Sequence, residues 1–280
     1  MQQVIAVVGL GNMGASLTRG LLKSGLDEKT EIRIFDQHQE RVAAFSATRA
    51  KPMDRIEELA EQKITWVFCV KPHDLQHLGQ SLKGRLHQDS LVISILAGTT
   101  LLEIAQRLEF QGPAIRAMPN IAATIGHAAT AMCHNKRCQA TDLNMAETIF
   151  RAVGEAYWTK EELMDTVTGL SGSGPAYIYM VIEALTDGGV KMGLPRDLSH
   201  QLSTQTVLGA AAMVKATGLH PAILKDQVTT PAGTTISALH ELEERGLRSM
   251  FVSAVVKATE RSAFLGSQKV QNQKIKDRDS

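Results

Sequence analysis

The chain has 280 residues, of which 44% are apolar and 21% charged, and this size and composition fit one large or two medium-sized globular domains. Thirty basic residues against twenty-nine acidic ones give a formal net charge of +1, so no strong overall field draws the protein to nucleic acid or to an anionic membrane. The sequence has three scattered cysteines. It shows no secretory-signal pattern and no apolar run of the roughly 20 residues that a membrane span needs. These features predict a cytoplasmic protein with free thiols.

The first 160 residues alternate short β-branched runs with helical patterns. The runs are nearly continuous in apolar residues, which is typical of parallel strands buried on both faces. Alternation at this spacing predicts right-handed crossovers and a doubly wound α/β sheet. In chain order the predicted strands are QVIAVVGLG, EIRIFD, ITWVFCVKP, SLVISILAG and the shorter AIRAMPN, HAATAMC and EAYWT.

The first predicted strand ends in a Gly-x-Gly-x-x-Gly turn that opens a helix. In this context the first glycine permits a tight turn and the second lets the backbone approach a pyrophosphate. The third lets helix and strand pack closely, while the helix N-terminus faces the phosphates. The alternative is a glycine-rich connection without a ligand. We predict a Rossmann-type domain that binds a nicotinamide dinucleotide through Gly9, Leu10, Gly11, Asn12, Met13 and Gly14.

Asp36 ends the second predicted strand, where a carboxylate would bind the adenosine ribose diol. Taken alone, this acid favours NADH over NADPH, whose 2′-phosphate would meet a negative charge, whereas Arg41 in the next helix could offset that charge. Two later loops follow strands of the same sheet and fall at the edge where ligands bind. We predict that these loops complete the cofactor site through Val70, Lys71, Pro72, Ala97 and Gly98, although Lys71 could instead be a solvated loop lysine.

Two groups of potential metal ligands fall short of a site. His73 and His77 lie four residues apart, as in zinc proteases, but that site needs a third ligand. Cys133-His134 with Cys138 has no recognisable second ligand pair. We therefore expect no bound metal.

From about residue 161 the β pattern disappears, and the chain consists of helical patterns separated by Gly or Pro. The helix that begins at Pro175 is apolar around most of its circumference and is predicted to be buried on several sides. A subunit interface would supply that burial. The sequence thus predicts a dinucleotide-binding domain over 1–160, an all-helical domain over 161–268 and a frayed polar tail over 269–280.

Five stretches together closely resemble pyrroline-5-carboxylate reductase, the last enzyme of proline biosynthesis. They are VGLGNMG near the N-terminus, VKP at 70–72, RAMPN at 116–120, GLSGSGPAYIYMVIEALTDGGVKMGL at 169–194 and LKDQVTTPAGTTISALHELE at 224–243. The resemblance runs essentially end to end. It implies a helical domain that intertwines with a partner subunit's into homodimers, often assembled into larger rings. It also implies reduction of the small cyclic imine 1-pyrroline-5-carboxylate to L-proline, with NADPH commonly favoured over NADH.

The stretch VTTPAGTTISALHELE at 228–243 carries four threonines before a helical pattern, so its hydroxyls are helix caps or part of a site. A helix that starts near Gly233 would offer free N–H groups to a substrate carboxylate, with Thr230 and Thr234 as further donors or caps. The resemblance marks Thr235 as the hydrogen-bond partner of the imine nitrogen. Because a threonine hydroxyl is a weak acid, we expect it to orient or relay a proton.

Two further loops are predicted to contact the substrate, through Asn120 and Ser173, although Ser173 could instead belong to a closely packed helix start. The chain departs from the family pattern at Ile121-Ala122, where Thr-Pro is usual, and at Ala232, where Gly is usual. Ala232 is restrictive only if its position requires a positive φ.

Two other interpretations share this domain plan. A β-hydroxyacid dehydrogenase would place a catalytic lysine about one turn into the helix after the Gly-rich segment, but that helix has no lysine before Lys191. A non-catalytic NADPH-sensing protein would not need the Thr-rich segment, which is intact here.

Overall fold

A computed structural model of the protein describes residues 3–71 and 74–276, with the backbone alone for residues 76, 77 and 267–276. The described residues form one eight-stranded sheet in the order β3-β2-β1-β4-β5-β6-β7-β8. Neighbouring strands are parallel except β6 and β7, which are antiparallel. The strands are β1 (Gln3–Val8), β2 (Thr30–Phe35), β3 (Lys51–Pro52), β4 (Thr65–Phe68), β5 (Leu91–Ser94), β6 (Ala114–Met118), β7 (Ala128–His134) and β8 (Gly154–Trp158).

This topology confirms the predicted doubly wound sheet and the seven predicted strands. The short strand β3 was not predicted, because two residues that include a proline carry no periodicity. The strand order reverses between β1 and β4. In an open α/β sheet, the crevice at this reversal is where ligands bind, beyond the carboxyl ends of the strands.

Successive residues of the central strands enter opposite cores of the sheet. Ile5 and Val7 of β1 belong to one apolar cluster, whereas Ala6, Val8 and Trp66 belong to the cluster on the other face. Because both faces are covered, every position of β1 after its first two residues is buried. This is why the strand sequence is continuously apolar instead of alternating.

The helices of the chain alternate with the strands and then replace them. They are α1 (Asn12–Lys23), α2 (Gln39–Ala43), α3 (Leu75–Leu82), α4 (Leu101–Leu108), α5 (Ala140–Arg151), α6 (Met164–Val167), α7 (Gly174–Lys191), α8 (Arg196–Thr217), α9 (Pro221–Gln227), α10 (Thr234–Glu244) and α11 (Leu247–Lys276). Shorter 3₁₀ turns occupy Leu26–Glu28, Ile56–Leu59, Ile121–Ile125 and Glu161–Leu163, and a π-helical turn occupies Thr168–Gly172.

Some helix ends follow local sequence signals. Thr100 caps α4 by accepting a hydrogen bond from the Glu103 N–H at 3.1 Å, and Gly218 ends α8 with a φ of 66°. Helix α11 continues through Lys276, so it includes residues 269–276 of the predicted polar tail. No proline interrupts this stretch, and lysine and glutamine are good helix formers.

The chain forms two compact units. The larger contains the described residues up to Ser173 and those from Lys257 onward, and the smaller spans Gly174–Val256. This grouping differs from the predicted boundary after residue 160. Side-chain hydrogen bonds tie residues 161–173 to the rest of the larger unit: Asn120 Nδ2 donates to Ser171 O at 3.0 Å, and Ser262 Oγ donates to Asp165 Oδ1 at 2.7 Å.

In the smaller unit, α7 and α8 pack closely through small residues. Ser199 Oγ donates to Thr186 O at 2.7 Å, and a Cβ at Gly189 would lie 2.2 Å from the same hydroxyl. Large apolar side chains of both helices remain exposed, including Met180 at 69% and Leu208 at 61%. The predicted burial of α7 is therefore not met within one chain. No single described helix is long and apolar enough to cross a bilayer, and α8 with α9 reaches that criterion only as a pair bent by 118°.

Candidate functional site

The glycine turn after β1 is closed by contacts that only glycines permit. Gly9 has a φ of 94°, and a Cβ there would lie 2.8 Å from Val70 Cγ1. A Cβ at Gly14 would lie 1.8 Å from Gly9 O. A Cβ at Gly11 would instead meet nothing within 4 Å. The first and third glycines are thus required by packing, whereas the second leaves open space in front of the backbone.

That open space lies at the N-terminus of α1. Gly11 is the N-cap residue and no acidic side chain occupies the first turn. The first bond of the helix runs from the Ala15 N–H to Gly11 O, so the N–H groups of Asn12, Met13 and Gly14 have no partner within the helix. Such groups and the helix dipole together bind phosphate. The turn therefore fits the pyrophosphate of a dinucleotide.

A cavity of ≈ 400 Å³ opens beside this turn. It lies at the carboxyl ends of β1, β2 and β4, as predicted for the cofactor. The predicted residues that line it are Gly9, Gly11, Asn12, Asp36, Val70 and Lys71, together with residues that the sequence did not single out, namely Phe35, Gln37, His38, Asp74 and Leu78. Lys71 is exposed there.

The other predicted cofactor residues lie elsewhere around the same edge of the sheet. Leu10, Met13 and Gly14 are not among the residues that line this cavity. Ala97, which is exposed, and Gly98, which is half-buried, form a turn just after β5, with a Gly98 φ of 63°. Pro72 lies outside the described residues, as does His73 of the possible metal pair. The cofactor contacts of this whole set remain predictions.

Asp36 is a buried side chain of the cavity with several hydrogen-bond partners. It is only 5% exposed. Its Oδ2 accepts from the Leu10 N–H at 2.6 Å, its Oδ1 accepts from the His38 N–H at 2.8 Å, and Arg41 Nη1 lies 3.3 Å from Oδ2. The carboxylate is thus surrounded by donors from the protein itself.

The Thr-rich segment forms a turn followed by the uncapped start of α10. The Gly233 N–H donates to Thr230 O at 3.1 Å, with Pro231 and Ala232 as the central residues of the turn. Ala232 has a φ of 55°, which is the positive φ at which the family's usual glycine would be unstrained. A Cβ at Gly233 would lie 2.3 Å from Thr230 Oγ1, so a side chain there would require that hydroxyl to move.

Helix α10 starts at Thr234 with Gly233 as its N-cap residue, and no side chain caps it. The N–H groups of Thr234, Thr235 and Ile236 therefore precede the first helical bond, from Ser237 N–H to Gly233 O. Of the four threonines, Thr229 alone uses its hydroxyl in a hydrogen bond among the described residues, donating Oγ1 to Lys225 O at 2.7 Å. Thr235 is half-buried, whereas Thr230 and Thr234 are exposed.

The two remaining predicted substrate residues lie near the π-helical turn. Asn120 uses both ends of its carboxamide within the protein, donating to Ser171 O and accepting from the Ala129 N–H at 3.4 Å. The Ser173 N–H donates to Thr168 O at 2.9 Å, which closes the π-helical turn just before α7. Substrate contact by either residue remains a prediction.

The cysteines are free and chemically quiet. Burial raises the pKa of the Cys69 thiol, which lies under the glycine turn. Burial likewise raises the pKa of Cys133 and of Cys138 to about 11. All three therefore remain protonated near neutral pH, so none of them is an activated nucleophile.

Comparisons with known proteins agree on one family. A family model described as pyrroline-5-carboxylate reductase dimerisation matches residues 161–265, and one described as NADP oxidoreductase coenzyme F420-dependent matches residues 4–98. A pyrroline-5-carboxylate reductase of Methanosarcina acetivorans is 43% identical over 94% of this chain and 98% of that protein.

Two solved structures extend the likeness to three dimensions. The pyrroline-5-carboxylate reductase from Coxiella burnetii matches with a TM-score of 0.87 at 31% identity, covering 95% of this chain and 99% of that one. The Plasmodium falciparum pyrroline carboxylate reductase with NADP bound matches with a TM-score of 0.79 at 31% identity, covering 94% and 98%.

Proposed function

The chain belongs to the pyrroline-5-carboxylate reductase family, and we propose that it reduces 1-pyrroline-5-carboxylate to L-proline in proline biosynthesis. The observation that carries this proposal is the uncapped N-terminus of α10, with Thr235 half-buried in its first turn. It is a site for a small anion with a hydroxyl beside it. The reaction also requires a dinucleotide site, and the glycine turn before α1 supplies it.

The cofactor end of the reaction depends on the glycine turn. The N–H groups of Asn12, Met13 and Gly14 bind the pyrophosphate, and Gly11 leaves room for its approach. Val70, Lys71 and the turn at Ala97-Gly98 complete the site. When bound, the reduced nicotinamide supplies a hydride to the imine carbon, while the imine nitrogen gains or already holds a proton.

The substrate end of the reaction depends on the segment before α10. The N–H groups of Thr234, Thr235 and Ile236 bind the substrate carboxylate, because they lack helical partners and lie at the positive end of the helix dipole. The Thr230 and Thr234 hydroxyls are further donors. The Thr235 hydroxyl bonds to the imine nitrogen and orients or relays its proton. The carboxylate and the nitrogen together fix which face of the ring is reduced.

NADPH is the proposed cofactor, with NADH as an alternative donor. Arg41 lines the cavity beside Asp36 and is 45% exposed. Its guanidinium offsets the Asp36 charge and offers donors to a 2′-phosphate. The NADP-bound Plasmodium relative supports the same choice.

The proposed assembly is a homodimer, with larger rings built from it. The exposed apolar side chains of α7 and α8 support an interface on the smaller unit, and the dimerisation family model covers this region. Burying these side chains against a second copy removes them from water. The free thiols support a reducing, cytoplasmic location.

The test is an oxidation assay of NADPH and NADH with 1-pyrroline-5-carboxylate. We expect substrate-dependent oxidation with both, with the higher kcat/KM for NADPH. Absence of turnover above background with either cofactor would contradict the reductase assignment, and cofactor binding without turnover would favour an NADPH sensor.

A further inference from the structure

We infer that Asp36 is a positioning residue: its carboxylate fastens the glycine turn to the end of β2 and orients Arg41, in place of binding the adenosine ribose diol. The inference rests on the proposed cofactor and names a different role for the acid that ends the second strand.

An acid that binds a ribose diol needs exposed acceptor oxygens with unused lone pairs. Asp36 is 5% exposed and already accepts the Leu10 N–H on Oδ2 at 2.6 Å and the His38 N–H on Oδ1 at 2.8 Å. Arg41 Nη1 lies within 3.5 Å of both oxygens. A carboxylate has about four lone-pair sites, and these donors occupy most of them.

The Leu10 bond acts on the part of the backbone that faces the pyrophosphate. The Gly9 N–H donates to Phe35 O at 2.7 Å, and the next N–H, of Leu10, donates to Asp36. Two consecutive residues of the turn are therefore fastened to two consecutive residues at the end of β2. A Gly-x-Gly turn is otherwise flexible, so this double attachment fixes where Gly11 and the first N–H groups of α1 point.

The Arg41 contact changes the charge that the 2′-phosphate of NADPH would face. The guanidinium lies against the carboxylate, so the pair is close to neutral and does not repel a phosphate as an isolated carboxylate would. Arg41 presents five N–H donors in a planar fork, of which Nη1 faces Asp36. The pair is therefore compatible with NADPH, despite the acid at the end of β2.

The test pairs variants of Asp36 with cofactor fragments that differ in one hydroxyl. We expect Asp36→Ala to weaken the binding of ADP and of 2′-deoxy-ADP about tenfold each, the scale of losing a hydrogen bond to a charged group. The ratio of the two dissociation constants should stay within about threefold of the wild-type ratio. Dissociation constants come from calorimetry, with thermal unfolding as the check on folding.

Asp36→Asn is the matched variant, because its amide oxygen can still accept the Leu10 N–H without the charge. We expect it to keep most of the affinity for both fragments, so that it rescues what Asp36→Ala loses. It also serves if the alanine variant does not fold. A loss of affinity confined to ADP in either variant, with 2′-deoxy-ADP unaffected, would overturn the inference and indicate that Asp36 binds the ribose.

These measurements need no turnover, so they separate this inference from the reductase proposal. Failure of the enzyme to reduce 1-pyrroline-5-carboxylate would leave the fragment ratios interpretable. Failure of the wild-type protein to bind ADP would overturn both the cofactor site and the role of Asp36.

Discussion

The four threonines between residues 229 and 235 differ in what their hydroxyls contact. Thr229 completes the end of α9 through Lys225 O, and the Thr230 hydroxyl packs against Gly233. Thr234 and Thr235 lie in the first turn of a helix that no side chain caps. The structural bond of Thr229 and the proposed substrate contact of Thr235 thus involve different members of the set, and substitutions can separate the two.

Thr235→Ala should lower kcat about 10–100-fold, because a hydrogen bond to the imine nitrogen strengthens as the nitrogen changes charge. The dissociation constant for NADPH should change little. Steady-state kinetics and nicotinamide fluorescence titration measure the two quantities. Thr229→Ala is the matched control and should leave kcat near the wild-type value while costing some stability. Equal kcat in the two variants would remove Thr235 from the mechanism.

Ala232→Gly should stabilise the protein by about 1 kcal/mol, because alanine at a φ of 55° carries a strain that glycine does not. Chemical denaturation gives the free energy of unfolding. Ala238→Gly is the control in the exposed interior of α10, where glycine should be destabilising by about 1 kcal/mol. If both variants are destabilised to a similar degree, the positive φ at residue 232 is not a source of strain.

At the scale of elements, the glycine turn shows how closely a strand and a helix can approach. Gly14 allows α1 to begin directly over Gly9 O, whereas Gly11 faces open space. The two glycines are equivalent in a sequence motif but not in three dimensions. Gly14 is needed for the fold, and we expect Gly11 to be needed for cofactor binding.

Gly11→Ala should therefore keep its melting temperature within a few degrees of wild type, because its φ of −64° suits alanine and no atom lies within 4 Å of the new methyl. Its affinity for NADPH should fall tenfold or more, since the methyl obstructs the approach of the pyrophosphate. Gly14→Ala should instead lower stability by about 1–3 kcal/mol or more, from the 1.8 Å clash. Unaltered NADPH binding by the Gly11 variant would exclude close approach of the pyrophosphate.

The strands and the glycine turn could be predicted because their signals are local: a continuous apolar run, then glycines at fixed spacing. The bonds of Asp36 could not be predicted, because Leu10 is far away in the sequence and pairs with it only after β1 and β2 align. The same holds for Asn120, whose carboxamide bonds to Ser171 depend on tertiary packing. The π-helical turn at Thr168–Gly172 has no periodic sequence signal of its own.

At the scale of the whole molecule, one chain leaves an extensive apolar surface in water. Exposed residues of α7 and α8 include Tyr179 and Met180 as well as Leu208 and Met213. A soluble monomer seldom carries so large an apolar surface. The smaller unit is thus expected to depend on a second copy for its stability.

Met180→Glu and Leu208→Glu should each shift the protein from dimer, or higher assembly, towards monomer, because an unpaired charge is costly in an apolar interface. Light scattering coupled to gel filtration measures the mass. Leu102→Glu, at an equally exposed apolar position of the larger unit, should leave the mass unchanged. A monomeric wild-type protein, or two interface variants with wild-type mass, would argue against this surface as the interface.

The chain leaves the larger unit at Ser173 and returns to it at Lys257, where Ser262 bonds to Asp165. The smaller unit is thus topologically an insertion between two parts of one body. No single cut of the polypeptide can separate the two units intact. A fragment that stops at residue 173 would lack the segment of α11 that belongs to the larger unit. A cofactor-binding half for isolated study therefore has to join residue 173 to residue 257 through a linker.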